Sequence, residues 1–122
     1  MHLVGVRPDG SAIPVSGMST GSADQLYLAL RVAAVEDSLG HGTPLPFIAD
    51  DLFINFDDDR AAAGFKVLGD LAKKTQVIFF THHQHLMSVA VRAIGSCPTI
   101  TILTSRDGSS NISPETGSLE AA

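Results

Sequence analysis

A single cysteine, Cys97, stands among 122 residues, so no internal disulfide can form and the chain suits a reducing compartment. The bland account of that residue is a small buried hydrophobe. No apolar run is long enough to span a bilayer, and Met1-His2-Leu3-Val4 leads into a turn rather than a secretory leader. A cytoplasmic chain with no membrane partner is therefore expected. Basic residues are scarce: 8 Lys and Arg against 13 Asp and Glu leave a net charge of −5. Nonspecific DNA affinity comes mainly from cations that neutralise phosphates, so this chain is not a DNA-binding surface by itself. No internal repeat is present. What is there, 44% apolar and 17% charged residues, describes one globular domain at most, with room for a core.

The stretch from Pro44 to Arg60 organises the rest. Leu45, Phe47, Ile48 and Ala49 form an apolar run that ends abruptly in Asp50 and Asp51, which reads as a short buried strand delivering two carboxylates to its C-terminal edge. Ligands of open α/β sheets collect at that edge. A carboxylate there can hold a hard cation such as Mg2+, and its neighbour can orient or deprotonate a water. This is the pattern of a Walker B strand; the competing account is a strand merely stopped by solvated acids.

A helix is expected from about Asp58 to Lys74, with Phe65, Leu68 and Leu71 as its apolar face. Asp57, Asp58 and Asp59 lie at its positive end and Lys73 and Lys74 at its negative end, which accounts structurally for most of these charges. A second β-forming run, Gln76 to Phe80, ends in Thr81-His82-His83-Gln84-His85. Two parallel strands joined by a helix make a βαβ unit, so Asp50, Asp51 and His82 should emerge at one sheet edge. There His82 can donate to a phosphate oxygen or to an attacking water. A competing metal site would use His82, His83 and His85 with Asp50 or Asp51. In the blander account His83 and His85 are ordinary polar residues opening a helix from Leu86 to Ile94.

Upstream, residues 2–16 read as a β-hairpin turning at Arg7-Pro8-Asp9-Gly10, with Pro14 limiting the second strand. Ser19, Thr20, Gly21 and Ser22 form a small, hydroxyl-rich loop that feeds a helix expected from Asp24, whose apolar face is Leu26, Leu30, Ala33 and Ala34. Exposed amides and a positive macrodipole make such a loop an anion site, with Gly21 admitting a phosphate to the backbone. The alternative is a plain capping loop with Ser22 as N-cap. A further strand is expected over Thr99 to Leu103, and residues 105–122, rich in Ser, Gly, Asp and Glu, read as a loose tail.

Taken in order, Met18-Ser19-Thr20-Gly21-Ser22 before Asp24 to Arg31, Phe47 to Asp51, Ile54-Asn55-Phe56-Asp57 and Phe79-Phe80-Thr81-His82 resemble the C-terminal lobe of an SMC-like ABC-type ATPase. The resemblance covers roughly residues 3–103. It looks closest to the YhaN-like type, large coiled-coil ATPases of the DNA-repair and chromosome-maintenance kind. The resemblance implies an α/β fold over residues 1–104, a partial P-loop NTPase lobe with a mainly parallel sheet flanked by helices and an N-terminal β-hairpin. Ser19, Thr20, Gly21 and Ser22 then match the signature loop that meets the γ-phosphate of ATP on the opposite subunit. Asp50 matches the carboxylate that serves Mg2+, Asp51 the general base or water-positioning acid, Asp57 the D-loop acid and His82 the switch-loop sensor of the γ-phosphate.

Two departures from the family stand out. Position 51 is Asp where most ABC ATPases carry Glu, one methylene longer. No Gly-x-x-x-x-Gly-Lys-Ser/Thr loop occurs in the sequence, so the cradle for the β- and γ-phosphates is missing. The resemblance therefore implies ATP hydrolysis only with an N-terminal Walker A lobe, in trans or in a full-length parent, and in a homodimer that sandwiches ATP. A truncated product, a split gene half or an incomplete record would each account for a start at Met1. DNA would be met through parts of such an ATPase outside this chain. Two other classes compete: a non-enzymatic remnant or interaction module of such an ATPase, and an independent metal-dependent hydrolase built on Asp50, Asp51 and the histidines.

Overall fold

A computed structural model describes residues 3–42, 44–95, 101–102 and 115–116. Strands β1 (Val4–Val6) and β2 (Ala12–Pro14) pair antiparallel, with Val4 opposite Pro14. The turn between them closes as its residue types require: Gly10 adopts φ 83°, and the Asp9 carboxylate accepts from the Ser11 amide and hydroxyl at 2.9 and 2.7 Å. After a 3-10 turn over Val15–Gly17, helix α1 runs from Thr20 to Leu39.

The start of α1 differs from the expected one by four residues. Ser19, not Ser22, is the N-cap: its Oγ accepts from the Ser22 amide at 3.3 Å and lies 2.9 Å from the Ser22 hydroxyl. The stretch Thr20-Gly21-Ser22 is thus the first helical turn rather than a loop before it. The buried face also differs. Leu28 and Val32 enter the core, with Val35 and Leu39 packed against it, whereas Leu30, Ala33 and Ala34 are exposed. Both stripes have helical spacing, because α1 is apolar on more than one side.

The expected βαβ unit is present. Strand β3 (Phe47–Asp50) pairs parallel with β4 (Val77–Phe80), Phe47 opposite Val77 and Asp50 opposite Phe80, and helix α2 (Asp58–Ala72) crosses between them. Helix α3 (Gln84–Ile94) packs on α2 and ends at Gly95, whose φ of 69° suits glycine. Asp57 caps α2 by accepting from the Arg60 amide at 2.8 Å, and Asp58 and Asp59 occupy its first turn. At the other end Lys74 reaches Glu36 of α1 at 2.6 Å.

The sheet content departs from a mainly parallel sheet. The described strands form three separate pairs, of which β3–β4 alone is parallel; β5 (Thr101–Ile102) pairs antiparallel with β6 (Glu115–Thr116). Thus Glu115–Thr116 is extended within the stretch read as a loose tail. The rest of that tail, Cys97 and the outer residues of the expected strand over 99–103 lie outside the described residues.

One core joins α1, β3, β4, α2 and α3 around Phe53, Phe65, Leu68, Leu71 and Leu86. Phe53 is 1% exposed and stacks with Phe56, Phe65 and Phe79 at ring separations of 4.8–5.2 Å. It lies against Gly64 so closely that a Cβ there would fall 2.6 Å from the ring. Expected burial on both faces of β3 is not met: Phe47 and Ala49 are buried, but Ile48 is 51% exposed and Phe80, across from Asp50, is 46% exposed. The parallel pair therefore has one covered and one bare face, unlike parallel sheets generally.

Gly64→Ala gains about 1 kcal/mol of helix propensity but overpacks an immobile ring at a cost of about 1–3 kcal/mol. Net destabilisation is expected, and it should shrink in a Phe53→Leu background that frees the space. Urea denaturation of the single and double variants reads this coupling.

Candidate active site

The chain leaves β3 at Asp50 and turns at once. Asp51 takes φ 44°, a left-handed conformation that few non-glycine residues adopt and that Asp tolerates better than most. Its amide still donates to the Phe80 carbonyl at 3.0 Å, and its carbonyl accepts from the Ile54 amide at 3.2 Å, so the turn is held on both sides. Two residues on, Phe53 is buried in the aromatic cluster, which fixes the path of the turn. The Asp51 side chain consequently faces the residues that follow β4.

There His82 Nδ1 lies 2.7 Å from Asp51 Oδ2. An ionised carboxylate can only accept, so the imidazole donates through Nδ1. Burial pushes the Asp51 carboxyl up, yet the Thr81 hydroxyl and the His82 side chain and amide outweigh it, leaving the carboxyl below the usual carboxylate range. The other oxygen, Oδ1, is shielded from solvent and has no partner in hydrogen-bond geometry. The same holds for His83 Nε2, although the His83 amide is satisfied by the Thr81 hydroxyl at 3.0 Å. The His82 and His83 rings are 4.0 Å apart.

His83 does open the helix, as the N-cap residue of α3 without a side-chain cap bond, and its ring also lies beside His82 and within reach of Asp51. His85 fits the blander account better, since its Nε2 points to Asp58 at 3.9 Å on an exposed surface. Asp50 is exposed, as is Ile48 two residues before it on the strand, and it is not among the three residues whose donor atoms cluster. Of the three residues expected at one edge, Asp51 and His82 are in contact, and Asp50 ends the strand just before them.

The second group of expected residues gathers at the start of α1. Ser19 and Ser22 form the cap described above, and the Thr20 and Gly21 amides, as at any helix start, lack intrahelical acceptors. Gly21 is closely packed: a Cβ there would meet the Asn55 carbonyl at 2.9 Å and Arg60 Nη1 at 3.2 Å. Asn55 Nδ2 also donates to Asp24 Oδ2 at 2.8 Å, tying α1 to the turn between β3 and α2. Asp57 serves that turn as the α2 cap and pairs with Arg60 at 3.4 Å. An open cleft of about 390 Å³ lies beside the Ser19 cap, lined by Arg7, Met18, Ser19 and Ser22 among others. The pairing of Asp24 with Asn55 is not legible in the sequence, because partners 31 residues apart leave no periodic signal, and Arg60 and Arg7 are given no role there. Nor is Arg31, whose guanidinium donates to the Ile48 carbonyl at 2.9 Å and stacks 4.9 Å over Phe47, which covers the free edge of β3.

The described residues form a small α/β unit whose short parallel pair carries an acid and an imidazole at its C-terminal edge, and none of their helices is long and apolar enough to cross a membrane. In sequence the chain is similar to the uncharacterized protein YhaN of Bacillus subtilis, 37% identical over 79 residues. That match covers 64% of this chain and 8% of YhaN, so the chain spans a small part of its relative's length. No family model matches the chain, and no solved structure does.

The lowered Asp51 carboxyl makes a pH prediction. A carboxyl whose folded value lies below its unfolded value of 3.8 contributes stability that is complete above that value and lost as pH falls through the lower folded one. Asp9, held down by Ser11, and Asp70, held down by Lys73, add to the same slope. Asp51→Asn should therefore lower stability at neutral pH and flatten, without abolishing, the loss of stability on acidification below the ordinary carboxyl range. Urea midpoints at neutral and acid pH, compared with the unmodified chain, check it.

Proposed function

We propose that the chain is the C-terminal lobe of an SMC-like ABC-type ATPase head, related to YhaN, that acts on ATP once completed by a Walker A lobe and dimerised. The observation that carries this reading is the 2.7 Å contact between Asp51 and His82 at the C-terminal edge of a parallel pair. An acid and an imidazole on adjacent strand ends, in the ligand-binding position of an α/β sheet, suit a Walker B acid beside a switch histidine. The similarity to part of YhaN is consistent with it.

In this reading Asp51, ionised through the neutral range, accepts a proton from an attacking water or orients it. His82 holds Asp51 in place and can donate a hydrogen bond to a phosphate oxygen. The Ser19 and Ser22 hydroxyls and the Thr20 and Gly21 amides offer donors to a phosphate of ATP bound on a partner subunit, with Arg7 adding positive charge at the adjoining cleft. Asp57 helps to hold the turn that Gly21 packs against. The exposed Asp50 carboxylate fits Mg2+, which binds through one or two carboxylates and keeps waters and phosphate oxygens as its other ligands. When bound, that ion neutralises charge on the phosphates. The phosphate cradle itself falls to the other lobe, as the sequence here carries none. The proposal extends to a role in DNA repair or chromosome maintenance, which the motif resemblance implies, with DNA met outside this chain.

A second reading, a non-enzymatic module that pairs with such an ATPase, draws on the bare apolar surface of Leu45, Ile48 and Phe80 and on the exposed Tyr27 and Leu30 of α1. Both readings require a covering partner lobe, and turnover separates them.

Mg2+-dependent ATP turnover is to be measured for the chain alone and mixed with a Walker A-bearing N-terminal lobe. Activity is expected only in the mixture, and Asp51→Ala should reduce it by about 10²–10⁴-fold, the usual contribution of a positioned base. Pieces that bind but stay silent would favour the non-enzymatic module, and turnover by the chain alone would overturn both.

A further inference from the structure

We propose that Asp51, His82 and His83 form a binding site for a divalent transition metal, with Zn2+ the preferred ion, independent of nucleotide. The site goes beyond the ATPase reading and stands on the geometry of three side chains. One donor atom from each lies within 4.8 Å of those of the other two. Two atoms in the cluster, Asp51 Oδ1 and His83 Nε2, are shielded from solvent without a hydrogen-bond partner. Folded proteins rarely leave such atoms unsatisfied, and a cation between an acceptor oxygen and an imidazole lone pair would satisfy both.

The distances are within reach of coordination. Zinc bonds of about 2.0–2.2 Å in a tetrahedron set neighbouring donors about 3.3 Å apart. The 2.7 Å contact between Asp51 and His82 must open slightly and the wider separations must close. His82 has the freedom to adjust, its side chain being 69% exposed, while the anchored backbone of Asp51 and the half-buried His83 supply a fixed base. Two imidazoles and one carboxylate, with a fourth position open to water, match open zinc sites of the His2-carboxylate kind. The same donors suit Mg2+ and Ca2+ poorly, since these ions prefer oxygen ligands throughout. His85 is outside the cluster, facing Asp58. An ion held here would engage Asp51 and so compete with that residue's part in ATP hydrolysis; it is not the Mg2+ of Asp50.

The test is titration of the untagged 122-residue chain with Co2+ and then Zn2+. One equivalent of Co2+ should bind with the intense visible bands of a four-coordinate site, yield to Zn2+ and resist excess Mg2+, and Zn2+ should raise Tm. His82→Ala and His83→Gln should each weaken binding by at least about 10–100-fold, more than the loss of a supporting group would, and His85→Ala should leave it unchanged. Circular dichroism establishes that each variant is folded, and the exposed His82 provides the decisive variant if His83→Gln is not. No binding, the faint bands of six-coordinate Co2+, or affinity that survives His82→Ala would overturn the site. The outcome is separable from the ATPase reading: Zn2+ binding with silent turnover strikes that reading alone, and turnover without Zn2+ binding strikes this one.

Discussion

Phe53 is the piece on which the arrangement of the molecule depends. Its ring fills the space between α2 and β4, touching Phe65 and Phe79 and resting on the bare backbone of Gly64. A side chain 1% exposed in such a position cannot move without opening a cavity, and filling or emptying that site costs kilocalories rather than tenths. Because Phe53 follows Asp51 by two residues, the same packing dictates where the chain goes after β3. The left-handed backbone at Asp51, unfavourable in isolation, persists because the surrounding core over-determines it.

From that constraint the chemistry at the edge follows. The turn directs the Asp51 carboxylate across the ends of two parallel strands towards Thr81 and His82, where His82 Nδ1 donates to it and the carboxyl is held below its usual range. A second contact network, Gly21 on the Asn55 carbonyl and Asp24 on the Asn55 amide, fastens the start of α1 to the same turn. Two clusters of polar residues, distant in sequence, are therefore carried by one short connection between β3 and α2. A change in that connection would reach both, which is why Gly21 and Gly64, neither of them a reactive residue, matter to the site.

Among the described residues some apolar surface stays exposed. Ile48 and Phe80 are exposed on one face of the parallel pair, and Tyr27 and Leu30 are exposed on α1. Single exposed apolar residues are ordinary, but a parallel pair with one bare face is not, since such strands are normally covered on both sides. Arg31 shields one edge of β3 by binding its carbonyl, a local remedy that leaves the face open.

Much of this was legible in the chain before folding. The turn at Pro8-Asp9-Gly10, the βαβ alternation, the apolar face of α2 and the meeting of Asp51 with His82 all follow from local rules: turn chemistry, periodicity and the geometry of a parallel crossover. Those rules could not choose between the two apolar stripes of α1, place the cap at Ser19 rather than Ser22, or separate His83 from His85. Such choices rest on what each residue meets, and several of the meetings, Asp24 with Asn55 and Asp51 with His82, are between groups 31 residues apart. Local rules along the chain were enough for the hairpin, the βαβ order and the delivery of Asp50, Asp51 and His82 to one edge, because each depends on near neighbours. The twist at Asp51, the packing of Gly21 and the cluster of Asp51 with two histidines emerge with folding alone, because a buried ring and a close backbone contact are properties of the packed core.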